Sequence, residues 1–193
     1  MVEAGTGTQV AMSAIACLAG RRIDAIDADE PRFPLHRAPA IGEAIAAVLV
    51  ERKISRLVCS AACGADILAL EACKALGIPA TIILPFSAGV FRDVSVIDRP
   101  GDWGPRFDQV IARARAHSDL VELGYAKNDQ KAFLGANREI VAHVTEANVG
   151  EKFAILVWEG TTRGEDDATA DLAERAWAAG FQVIEVSTAG HVR

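Results

Sequence analysis

No stretch of this chain approaches the ~20 consecutive apolar residues that a membrane-spanning helix requires, although 51% of its residues are hydrophobic. The best candidate, Val10 to Ala19, is short; Glu3 precedes it in place of a basic segment, and Arg21 and Arg22 follow it. A secretory signal or a lipid anchor at Cys17 is therefore not expected, and the segment reads as a buried first strand. Basic clusters are missing as well. The formal net charge is −6 with both signs interspersed, which argues against sequence-independent binding to nucleic-acid backbones. The four cysteines (Cys17, Cys59, Cys63, Cys73) form no C-x-x-C pair, and the four histidines are scattered. Buried thiols in a reducing cytoplasm are the expectation, with no metal site and no cofactor implied.

What remains is a regular alternation. Short apolar runs at 13–18, 55–60, 80–84, 119–123, 153–158 and 181–186 read as strands. Most are rich in Val, Ile and Leu without a polar alternate, the pattern of strands buried on both faces. Helical patterns lie between them at 41–52, 65–76, 105–116, 129–147 and 168–179; the second stops at Gly77 with Pro79 beyond, the last at Gly180. Strand and helix in turn imply right-handed crossovers, hence an α/β, Rossmann-like, doubly wound and mostly parallel sheet with helices on both faces. Residues 1–9 read as a flexible leader and 10–193 as a single domain, which 193 residues suit. The partial glycine fingerprint G-T-G-T-Q-V precedes the first strand instead of following it, so a dinucleotide site there fails on context. Val110, Ile111, Phe133, Leu134, Ile140 and Val141 exceed what one sheet face is expected to cover, which points to a homodimer or higher oligomer.

Ligands of such sheets bind beyond the carboxyl ends of the strands, which selects four turns. In VCSAACGADILALE (58–71) an apolar run ends at Ser60, and small residues up to Gly64 lead at once into a helix at Asp66. Either a ligand is pressed against this backbone at a helix N-terminus, or helix packs tightly on sheet through Ala65, Ala69 and Ala72. Ligand contact is the favoured reading for the turn, through Ser60, Cys63, Gly64 and Asp66. Asp66 opposes phosphate there but can accept from ribose hydroxyls or brace the loop. In EGTTRGEDDATADL (159–172), Gly160, Thr161 and Thr162 suit a ligand-binding loop, Arg163 can meet an anion, and Thr169, also a candidate contact, can bond to backbone groups near the helix start. Glu165, Asp166 and Asp167 make a solvated acidic cap the equal alternative. After Pro85, the aromatics Phe86 and Phe91 can stack on a base and Arg92 can reach a phosphate, although loop aromatics commonly cover a core edge. After the first strand come Gly20, Arg21, Arg22 and Asp24, then Pro31-Arg32-Phe33-Pro34. Two arginines there clamp an anion or serve the surface.

Taken in order, these turns resemble one family. GRRID and PRFP are similar to the G-H-x-x-D and R-F-P elements of the Smf/DprA–LOG (SLOG) superfamily of Rossmann-like proteins. ACGADILALEACKALGI resembles its G-A-D-x-L-x-x-E segment, LPF…F…SV its third-strand exit, and VWEGTTRGEDDATADL its V-W-D-G…G-G-T-A-D motif. The match runs from about Cys17 to Val186, and the order and spacing of the motifs carry it. The resemblance implies binding of a nucleotide or nucleotide-derived ligand; some members are phosphoribohydrolases, others sensors or DNA-processing proteins. Arg21 stands where many relatives have His, and Asp166-Asp167-Ala168-Thr169 replaces a glycine pair before Thr. Alignment on Thr169 puts Leu172 where the phosphoribohydrolase branch carries its catalytic glutamate, and that branch's E-R-K element has no counterpart in its expected place. The expectation is a cytoplasmic protein that binds a small nucleotide-like molecule without cleaving it. A hydrolase of N-glycosidic or phosphate bonds, using Asp24, Asp66 or Glu159, is the alternative. Nucleic acid is disfavoured as a partner by the acidic balance.

Overall fold

The computed structural model describes residues 13–164 and 166–189. The expected leader, 1–9, lies outside them, as do residues 10–12 of the first apolar run. Six strands form one sheet: β1 (Ala14–Gly20), β2 (Ile54–Cys59), β3 (Ala80–Leu84), β4 (Leu120–Glu122), β5 (Glu151–Trp158) and β6 (Gln182–Ser187). Their order is β4-β3-β2-β1-β5-β6, and every pair is parallel. The helices are α1 (Ala38–Glu51), α2 (Ala65–Leu76), α3 (Ala88–Ser95), α4 (Trp103–Ala116), α5 (Ala132–Glu146) and α6 (Ala168–Ala178), with a short 3-10 turn at Leu35–Arg37. The expected fold class holds.

Period-two side chains explain why the central strands look uniformly apolar. Ala14, Ala16 and Leu18 of β1 enter one core with α1, α2 and α4, whereas Ile15 and Cys17 enter the other with α5 and α6. β5 divides the same way, with Phe153, Ile155 and Val157 opposite Ala154 and Leu156. A strand covered on both sides has no polar alternate to show. All four cysteines are buried and unpaired, as expected. Burial pushes the thiols of Cys17 and Cys73 up to about 12, so they behave as small apolar side chains.

Two expectations change. α3 falls where only a loop was expected; Ser87 caps it by accepting the Val90 N–H, and Phe91 anchors it in the core. Gly89 and the helix's eight residues hide its periodicity. The apolar surplus behind the expected oligomer is largely taken up within the chain. Val110 and Ile111 are buried on α4, which packs against α2 and the β3–β4 side of the sheet. Ile140 and Val141 are buried on α5, over β1, β2 and β3. Of that set only Phe133, 40% exposed, stays open to solvent to any extent beyond a half-buried Leu134. The homodimer loses its original basis.

Candidate functional site

The small residues around Gly64 serve packing first. A Cβ on Gly64 would lie 2.7 Å from the Arg21 carbonyl oxygen and 2.9 Å from the Ile23 nitrogen, and its φ is +97°. At Gly20 a Cβ would meet Ala65 Cβ at 2.5 Å and Val157 Cβ at 2.6 Å. The start of α2 is thus seated on the exit of β1 by backbone contact, with Ala65 N–H donating to Arg21 O at 3.2 Å. Two N–H groups of the exposed cradle expected at 60–64 are used internally. Ala62 N–H bonds Asp66 Oδ2, and Cys63 N–H bonds Ser95 O. Cys63 itself points into the core. At Gly64 and Cys63 the packing reading wins.

Arg21 is likewise committed elsewhere. Its Nε and Nη2 donate to Glu159 at 2.7 and 2.9 Å, its Nη1 to both oxygens of Asp167 at 2.7 Å, and Nη2 also to Thr161 O at 2.6 Å. With all five N–H donors engaged, it cannot clamp an anion; it ties the exit of β1 to the exit of β5. Arg32 joins the group through Glu159 Oε1 at 2.5 Å, while Phe33 fills the core and its N–H bonds Asp24 Oδ2. Asp167 also caps α6, accepting from Thr169 and Ala170 N–H and from Arg163 N–H. Burial by itself raises the Asp167 and Glu159 carboxyls, but hydrogen bonds led by those from Arg21 outweigh it and hold both below the usual carboxylate range. The solvated acidic cap expected here therefore needs correcting at Asp167, which is buried. Asp166 is exposed, and Glu165 lies outside the described residues.

Between these two anchored exits lies a cavity of 420 Å³, over the end of β1. This is where the strand order turns, with β2 on one side of β1 and β5 on the other. Phe86, Phe91, Phe133 and Leu134 supply apolar wall. Ser60 and Asp66 come from the β2–α2 turn, Asn137 from α5 and Thr169 from α6. Arg22, Lys127 and Arg163 contribute positive charge. Arg22 is part-neutralised by Asp98 at 3.0 Å. Asn137 Nδ2 donates to Ala168 O at 2.7 Å and Asp171 Oδ2 at 2.8 Å, which fixes α5 against the start of α6.

Of the residues singled out in the sequence, Gly20, Arg22, Ser60, Asp66, Phe86, Arg163 and Thr169 border this cavity. Arg21, Cys63 and Gly64 stand behind it as scaffold. Gly160 and Thr161 sit on the exposed β5 loop outside it, and Arg92 faces α4, paired with Asp108 at 2.9 Å. The expected phosphate contact at Arg92 is thereby corrected. Phe91, read with Phe86 as an aromatic of the third turn, also borders it, whereas Lys127, Phe133 and Asn137 were not foreseen. Asn137 had one signal: a polar residue at the same helical face as Ile140, Val141 and Val144.

Asp66 is the unusual group. It is 6% exposed, and burial pushes its carboxyl up to about 7 against a single lowering hydrogen bond from Ala62. Its folded value lies above the unfolded one near 3.8. The folded state thus keeps a proton that the unfolded chain has released, and this stability is lost as pH rises from about 4 to about 7. Asp66→Asn removes the loss. Melting curves should show the variant gaining on the parent by roughly 2–3 kcal/mol between about pH 5 and about pH 8. Parallel pH profiles for the two proteins would contradict this environment.

No protein-family model matches the sequence, and no curated protein matches it. Among solved structures, the X-ray structure of DNA processing protein A (DprA) from Streptococcus pneumoniae superimposes with a TM-score of 0.55 at 16% identity. The alignment covers 93% of this chain and 51% of that one. This chain therefore spans about half the length of that protein. The two share the Rossmann-like fold that the motif resemblance implied.

Proposed function

We propose that this protein binds a nucleotide or nucleotide-derived ligand in the cavity over β1. The observation that carries the reading is one cavity with three kinds of lining: aromatic wall, buried polar groups and cationic side chains. Phe133, with Phe86 and Phe91 packed behind it, suits a base, and Arg22, Lys127 and Arg163 suit a phosphate. The volume falls within the range of small-molecule sites, about 300–1,000 Å³, and the place is where open α/β sheets hold ligands.

Binding without turnover is the favoured form. Leu172, at the position of the phosphoribohydrolase glutamate, is fully buried among α6 and sheet residues and does not border the cavity. Among the described residues, Asp66 and Asp166 are the carboxylates that do. DNA processing, the activity in the printed name of the similar structure, calls for a basic surface that a net charge of −6 does not favour.

A thermal-shift screen against AMP, ADP-ribose and other nucleoside monophosphates tests the proposal, with single-stranded DNA alongside. Ligand at ~100 times its dissociation constant should add about 2.7 kcal/mol, or roughly 5–10 °C in a domain of this size. Chromatography should recover AMP intact. Absence of a shift with every nucleotide refutes the reading, binding of DNA alone replaces it, and adenine release that Asp66→Asn abolishes makes the protein a hydrolase.

A further inference from the structure

The β2–α2 turn holds two polar groups that the protein itself leaves incompletely partnered. Ser60 Oγ is buried without a hydrogen bond among the described residues. Asp66 is more than nine-tenths buried, yet among the described residues its carboxylate receives one donor, Ala62 N–H to Oδ2 at 3.1 Å. A carboxylate has about four acceptor sites, and a buried one is costly unless they are filled. Both residues border the cavity over β1.

The missing partner must bring hydrogen-bond donors to Asp66 and a donor or acceptor to the Ser60 hydroxyl. An anionic group is opposed by like charge at Asp66 once that carboxyl is ionised, above about pH 7. An ammonium group would satisfy the carboxylate, but Arg22, Lys127 and Arg163 border the same cavity and oppose a cation. Neutral hydroxyls meet every requirement. They also divide the cavity sensibly, with hydroxyls at the β2–α2 turn and an anion at the three cationic side chains.

We propose that Asp66 and Ser60 form a subsite for the vicinal 2′- and 3′-hydroxyls of a ribose, which makes the cavity selective for ribonucleotides over their deoxy counterparts. The inference rests on the nucleotide-binding reading above and adds which part of the ligand is recognised, and by what. The two hydroxyls donate to the carboxylate, and Ser60 Oγ exchanges a hydrogen bond with one of them. Ala62 N–H holds Asp66 Oδ2, so the carboxylate is oriented before the ligand arrives.

Isothermal titration of the parent protein with AMP, 2′,3′-dideoxy-AMP and ribose 5-phosphate, at about pH 8 where Asp66 is ionised, tests this without any substitution. AMP should bind about 10–100-fold more tightly than the dideoxy nucleotide, the range for hydrogen bonds to a charged acceptor. Asp66→Asn should bring AMP close to the dideoxy nucleotide while changing the latter's affinity by less than about threefold. Equal binding of AMP and dideoxy-AMP by the parent overturns the ribose subsite and leaves the nucleotide reading standing. Ribose 5-phosphate binding as tightly as AMP supports the subsite but removes the base from the ligand. If none of the three binds, the nucleotide reading falls and the subsite with it.

Discussion

Arg21→Ala is expected to destabilise the protein by about 3–5 kcal/mol, the usual result of removing one partner from a buried charge group. Arg21 is 1% exposed, and its five donors are shared among Glu159, Asp167 and the Thr161 carbonyl. Without it Asp167, whose side chain is fully buried, keeps among the described residues only backbone N–H groups and Arg163 Nε at 3.8 Å. Glu159 keeps Arg32, which is partly exposed. The Trp158 ring, 5.5 Å from the guanidinium carbon, also loses its cation. Denaturant melts at neutral pH measure the effect. Because Glu159 and Asp167 are held below their ordinary values, the stability they supply is present above the unfolded pKa, about 4, and is lost as pH falls through the lower folded values. The gap between parent and variant should therefore narrow in acid. A loss under about 1 kcal/mol at neutral pH would mean that the group is merely a surface cluster.

Gly64→Val should be as damaging, and it should act on the fold and not on ligand binding alone. The new Cβ meets the Arg21 carbonyl and the Ile23 nitrogen, both of them backbone, and φ +97° is strained for any side chain. Strain of this kind costs about 1–3 kcal/mol and overpacking of a tight contact about as much again. A fall in melting temperature of roughly 10 °C or outright insolubility is expected. Gly160→Ala is the matched control. Its φ is +86°, but no described residue lies within 4 Å of the added methyl, so it should cost only about 1 kcal/mol. If Gly64→Val melts like the parent, the close seating of α2 on β1 is wrong. If both variants suffer equally, backbone conformation and not contact sets the cost.

The two substitutions mark where local sequence signals stop. Strand β3 lies at Ala80–Leu84 and α2 at Ala65–Leu76, both as read from the chain. A short Val/Ile/Leu run or a helical repeat closing on Gly77 is decided by residues a few positions apart. The parallel sheet followed for the same reason, since strand and helix in strict turn leave few ways to wind. The turns at the strand ends were legible as turns, and Ser60, Asp66, Phe86, Arg163 and Thr169 do meet at one cavity.

What each turn residue does was decided by partners far along the chain. Arg21 looked like an anion clamp because its partners, Glu159 and Asp167, lie 138 and 146 residues away. Gly64 looked like a ligand contact because the backbone it touches, Arg21 to Ile23, belongs to another strand exit. Arg92 is turned to Asp108 by α3, a helix too short to announce itself. Phe133 and Asn137 reach the cavity only because the crossover lays α5 across β1, β2 and β3. Periodicity and turn chemistry act over a few residues, so the sequence by itself determined the elements and their winding. Charge neutralisation and close packing act through space, so only the tertiary structure decided which turn residues brace the fold and which are left to meet a ligand.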